Sequence, residues 1–113
     1  MSQVLDIHDL EEMSREMLDL RPDGWTKSIH WDMCKLSEEC GEVAECLVKS
    51  KKTKHDLGEE LSDVIAVCFV IALKSGIDLN EAIQNKQIQR VAKLVMRFHE
   101  GVHPRANSQK VNE

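Results

Sequence analysis

A chain of 113 residues, 42% hydrophobic and 31% charged, has room for one modest core and reads as an ordinary globular protein. Its formal net charge of −5 at pH 7 excludes a domain that coats a nucleic acid polymer by neutralising phosphates, and a small anionic ligand would have to be met through a metal. Only Trp25, Trp31, Phe69 and Phe98 are aromatic, fewer than a β-rich fold would ask for, and the longest uncharged run, residues 64–73, is far short of the roughly 20 residues that cross a membrane.

Punctuation is sparse: prolines stand only at 22 and 104 and glycines at 24, 41, 58, 76 and 101, so long helices are the default and the spacing predicts an all-α fold of four. Leu10, Met13, Met17 and Leu20 recur at helical intervals in a first helix over residues 4–20, which RPDG at 21–24 closes as a turn. A second helix is expected over 26–49, with Leu36, Cys40, Val43 and Leu47 as its apolar line. KSKKTKHD, 49–56, then breaks the pattern, as either a solvated loop or one that contacts a triphosphate. The third helix, 56–75, contains VIAVCFVIAL, is apolar nearly all round, and is expected to be central. Gly76 suits the position just past its end, and Asp78 with Glu81 resembles a capping box for a fourth helix over 79–98. One domain is expected over residues 1–100, followed by a polar tail at 101–113.

Cys34, Cys40, Cys46 and Cys68 lack the short paired spacing of a structural zinc site, and no secretory leader is read before the first charged residues. Reduced, buried thiols and a cytoplasmic location are the expectation.

The residues that carry chemistry are acids. SEECGEVAE in the second helix holds Glu38, Glu39, Glu42 and Glu45, and EELSD in the third holds Glu59, Glu60 and Asp63. Glu39 and Glu42 lie about 60° apart on the flank of the apolar line, whereas Glu38, Glu42 and Glu45 form a stripe opposite it. Taken alone, this helix carries either a solvated acidic face or a cation site. Glu60 and Asp63 project with Val67, Val70 and Ile71, so that face turns hydrophobic within a turn and an acid on it is partly desolvated. Clustered, desolvated carboxylates cost several kcal/mol each unless a cation compensates them, and no lysine or arginine is read at helical spacing to do so. Oxygen-only ligands select a hard cation, Mg²⁺ with Mn²⁺ as a substitute, and Mg²⁺ shares its coordination sphere with substrate phosphates. The chemistry implied is phosphoanhydride cleavage.

EECGE (38–42) followed by ELSD (60–63) resembles the EExxE…ExxD signature of the MazG-type, all-α nucleoside triphosphate pyrophosphohydrolases. KLSEECGEVAECL, GEELSDVIAVCFVIAL, SGIDLNEAI and Lys86 follow that family's order of blocks over residues 25–93. The resemblance implies a four-helix bundle assembled through dimerisation, as a homodimer or homotetramer, which splits the α–β bond of a nucleoside triphosphate to give a monophosphate and pyrophosphate. It implies Glu39, Glu42, Glu60 and Asp63 as metal ligands. Glu38 or Glu45 would be an additional ligand or the base that activates water, with Glu38 and Glu39 the candidate catalytic residues and Glu39 and Glu45 the positions at which members differ.

The same resemblance makes Trp25, His30 and Trp31, in WTKSIHW, the candidates for base recognition, each tryptophan being otherwise a core or interface anchor. Lys49, Lys52, Lys86 and Lys93 are the candidates for the remaining phosphate charge. Lys86 is followed here by Arg90 and then Lys93, Leu94 and Val95, where many members carry an asparagine and then arginine-aromatic-proline. Similarity to the small single-domain branch implies nucleotide-pool house-cleaning with a dCTP- or dATP-like preference. A phosphoribosyl-ATP pyrophosphohydrolase ranks lower, because Val67 and Cys68 stand where that enzyme has an aromatic–histidine pair. A non-catalytic helical dimerisation or adaptor module is the rival from another class.

HEGVH at 99–103 matches H-E-x-x-H, the pattern of zinc peptidases. Gly101 interrupts it, Pro104 follows at once, and no histidine lies downstream as a third ligand, so the match is expected to be accidental.

Overall fold

In a computed structural model, which describes residues 4–101, the chain forms four helices, with no strand among the described residues. They are α1 (Ile7–Leu20), α2 (Ile29–Val48), α3 (Lys54–Lys74) and α4 (Leu79–His99), as the apolar periodicity predicts. None is long and apolar enough to cross a membrane. The polar tail beyond Gly101, and with it His103 of HEGVH, lies outside the described residues. Within them, α4 stops at His99 and Gly101 takes the left-handed conformation (φ 81°), so the motif does not lie on a continuous helix.

The starts of α1, α2 and α3 each have a local cause. Asp6 and Asp9 form a reciprocal capping box at α1, with backbone bonds of 2.8 and 3.1 Å. Ser28 Oγ accepts from the Trp31 amide at the start of α2. Thr53 and Asp56 make a second box, so α3 begins at Lys54 and the end of KSKKTKHD is its first turn rather than loop. At the other end of α3, Gly76 (φ 68°) reverses the chain: its amide donates to Leu73 and that of Ile77 to Ala72, the paired bonds of a Schellman motif.

Two compact units make up the chain, Met1–Leu79 and Asn80–Glu113. In the first, α3 packs along α2 and against α1, around Leu18, Phe69 and Ala72. The α1–α2 connection is pressed onto the end of α1: a Cβ on Gly24 would stand 2.3 Å from the Leu18 carbonyl oxygen. Trp25 Nε1 donates to Asp19 at 2.6 Å. α3 is central within this unit, yet Leu61 and Ile65 are exposed, because two neighbouring helices cannot cover an element that is apolar all round. In the second unit, α4 carries Ile88, Val91, Leu94 and Val95 exposed.

The apolar line expected on α2 is only half right. Leu36 and Val43 are half-buried, but Cys40 and Leu47 are exposed, and the inward face runs instead through Asp32, Leu36, Glu39, Val43 and Cys46. Carboxylates therefore occupy positions where a helix pair usually places core residues. Of the four thiols, all unpaired, Cys34 and Cys40 are exposed rather than buried.

Candidate metal centre and its groove

The rotated face of α2 brings its acids onto those of α3. Glu39, Glu42, Glu60 and Asp63 each offer one carboxylate oxygen such that all four oxygens lie within 4.8 Å of one another. Glu39, Glu42 and Glu60 are half-buried and Asp63 is exposed, so the cluster is shielded by the helix seam on one side and open on the other. Glu39 Oε2 and Glu60 Oε2 are buried and accept no hydrogen bond. Buried anionic oxygens without a donor are costly, and a hard cation among them would satisfy both at once. The donor set thus fits a divalent cation such as Mg²⁺, or Mn²⁺ in its place.

Proton affinities register the crowding. A hydrogen bond to Glu42, burial, and the charges of Glu42, Asp63 and Glu39 together push Glu60 up to about 7. Burial, then Glu42 and Asp63, raise Glu39, although Lys35 pulls the other way. Lys35 Nζ lies 3.2 Å from Glu38 and 3.9 Å from Glu39. Contrary to the expectation from sequence, the acids are therefore not wholly without a cation at helical spacing. Lys35 touches only the Glu39 edge, and among the described residues no ion pair reaches Glu42, Glu60 or Asp63.

Glu45 stands apart from the four. Lys49, one turn on, hydrogen-bonds it and holds its carboxyl below the usual range. This one contact occupies both an expected ligand and an expected phosphate contact. Glu59 pairs instead with His55.

Beside the quartet a groove of about 500 Å³ opens between the end of α1, the α1–α2 connection, α2 and α3, and Glu39 and Asp63 belong to both. Trp31 lines it, with Lys27 Nζ 4.0 Å over its ring. Trp25 is turned to Asp19 and His30 is exposed; neither lines this groove. Lys49 and Lys52 are exposed near the start of α3, and Lys86 and Lys93 are exposed on α4 in the second unit.

The cations that do line the groove, Arg21, Lys27, Lys35 and Lys74, are not among those the sequence singles out. Lys35 is detectable by its spacing of three and four residues from Glu38 and Glu39. Lys74 has no such signal, since its partner Asp32 is far away in sequence: Nζ lies 3.0 Å from Oδ2 and 3.2 Å from Oδ1.

Four converging acids on a helical pair, beside a groove of about 500 Å³, fit a divalent cation and a phosphate-bearing ligand. The family model for the MazG nucleotide pyrophosphohydrolase domain matches residues 30–97, more than half of the chain, and the chain belongs to that family. The match includes all four acids and Trp31, and it identifies the protein in general terms as a nucleotide pyrophosphohydrolase. No curated protein and no solved structure matches the chain significantly.

Proposed function

We propose that the protein is a Mg²⁺-dependent pyrophosphohydrolase that cleaves the α–β phosphoanhydride of (d)NTPs to (d)NMP and pyrophosphate. In this reading it removes unwanted nucleotides from the cytoplasmic pool, with a dCTP- or dATP-like preference. The convergence of Glu39, Glu42, Glu60 and Asp63 within 4.8 Å, with two buried carboxylate oxygens lacking donors, is the observation that carries it.

These four side chains hold the cation, and Mn²⁺ can replace Mg²⁺ on the same oxygen donors. When bound, a divalent cation neutralises phosphate oxygens and stabilises charge developing on the pyrophosphate leaving group. Glu38, next to Glu39 in sequence, is the first candidate for taking the proton of the attacking water; Lys35 pairs with it as Lys49 pairs with Glu45. Glu39, with its raised proton affinity, is the other candidate for this proton.

Trp31 offers the base a ring in the groove, with Trp25 and His30 as flanking residues. Lys49 and Lys52 add to the attraction of the triphosphate. The family match runs across both compact units, which supports residues 1–100 as one functional domain. The exposed Leu61 and Ile65 support a homodimer or homotetramer in which a second copy covers the bare edge of α3.

Incubation with a panel of canonical and modified (d)NTPs, in Mg²⁺ and in EDTA, tests the reading. Monophosphate and pyrophosphate, formed only with the metal, are expected. Diphosphate and inorganic phosphate, or no turnover by folded protein, would reject it.

A further inference from the structure

The groove has a far end that the chemistry above leaves unused. Glu39 and Asp63 mark its near end, shared with the quartet, and Asp32 with Lys74 lies at the other. Asp32 precedes Glu39 by two helical turns, so both lie on one face of α2 about 10 Å apart along its axis. That span suits the reach from a phosphate, across one sugar, to the far edge of a base. Ala66, Val67 and Val70 supply an apolar wall between the two polar ends, the make-up of a small-molecule site.

Asp32 is 4% exposed. Lys74 supplies its counter-charge, donating to Oδ1, and also donates to the Lys27 carbonyl at 3.1 Å. Oδ2 faces the same ammonium at 3.0 Å, yet it is shut off from water and accepts no hydrogen bond. An ionised carboxylate can only accept and each of its oxygens has two lone pairs, so beside the Lys74 ammonium Oδ2 can take one further donor. Lys27, lying over the Trp31 ring, is the flexible side chain that an entering base would displace.

We propose that Asp32 is the specificity-determining residue of a nucleobase subsite and selects bases whose far edge carries an exocyclic amine, a 4-aminopyrimidine or a 6-aminopurine. The proposal rests on the pyrophosphohydrolase reading and names the substrate class of that site. The amine donates to Oδ2. A carbonyl at the same ring position sets its lone pairs against those of the carboxylate.

The test compares wild-type protein on nucleotides that differ only at that position, dCTP against dUTP and dATP against dITP, and measures binding of dCMP against dUMP by calorimetry in EDTA. The aminated member should win by about 10- to 100-fold in kcat/KM and in affinity, the scale of a hydrogen bond to a charged group. Asp32→Asn, which keeps the shape and an acceptor for Lys74, should bring these ratios toward one without abolishing pyrophosphate release. Equal or inverted preference in the wild type overturns the proposal, whether or not the variant folds. Binding discrimination that Asp32→Asn abolishes, with no turnover of any triphosphate, would support the subsite while rejecting the pyrophosphohydrolase reading alone.

Discussion

Glu42 on α2 and Glu60 on α3 meet carboxyl to carboxyl across the helix seam, close enough to share a hydrogen bond. Two acids so placed cannot both ionise cheaply, and Glu39 and Asp63 add to the repulsion, so the quartet retains a proton up to about pH 7. A divalent cation competes for the oxygens that this proton holds.

The raised Glu60 makes stability depend on pH in a defined direction. Its ordinary value is 4.5 and its folded value about 7, so metal-free folded protein retains a proton that the unfolded chain has lost. The contribution is fully present below about pH 4.5 and is lost as the pH rises to about 7. Glu45 and Asp56, held low by Lys49 and Thr53, act with the opposite sign at acid pH, so the comparison needs Glu60→Gln to isolate the effect. In EDTA the melting temperature of wild type should fall relative to Glu60→Gln between pH 5 and 7.5; parallel curves would show that the two carboxyls do not interact.

Within α2 the acids separate by role. Glu39→Gln, Glu42→Gln and, on α3, Glu60→Gln and Asp63→Asn should each lower kcat by on the order of 100-fold or more, the scale of lost electrostatic stabilisation. Glu45→Gln should lose only a few-fold, because its partner is Lys49 and not the quartet. Steady-state rates for the five variants decide this, and a Glu45 variant as damaged as the others would redraw the site.

Backbone fit makes two glycines unequal to a third. Gly24→Ala puts a methyl into the Leu18 carbonyl and should destabilise by about 2 kcal/mol or more. Gly76→Ala forces an L-residue into a positive φ, at about 1 kcal/mol. Gly58→Ala meets nothing within 4 Å inside α3 and should stabilise by about 0.5–1 kcal/mol. Urea denaturation at constant m-value would rank them, and a tolerated Gly24→Ala would mean that the α1–α2 connection is not packed as described.

If the bare edge of α3 is where copies meet, Ile65→Glu should shift the protein toward monomer in sedimentation measurements at micromolar concentration. An unchanged sedimentation coefficient would exclude that edge as the interface.

The end of α3 is legible in the sequence because Gly76 is a local signal, whereas the expected starts at 26 and 56 pass over Ser28 and Thr53, whose capping bonds set the starts of α2 and α3. The quartet is legible because its acids recur at helical spacing and a family signature fixes their register. The face of α2 is not, since Cys40 and Leu47 count as apolar whether or not anything covers them, while Glu39 and Glu42 turn inward toward the acids of α3. Asp32 with Lys74, and the groove they end, depend on how α2 lies along α3, a tertiary fact with no local pattern. The conspicuous lysine run at 49–54 draws more notice in the sequence than Lys35, which actually borders the acids.

The most direct test of the metal centre is thermal unfolding at pH 7.5 with and without Mg²⁺, for wild type and for the Glu42→Gln/Glu60→Gln double variant. A cation at 100 times its Kd adds about 2.7 kcal/mol of stability, a rise on the order of 10 °C for a domain of this size. That rise should appear in wild type and vanish in the variant, which in EDTA should be at least as stable as wild type because the repulsion is gone. An equal response to Mg²⁺ in both proteins, or none in wild type, would contradict a cation site between α2 and α3.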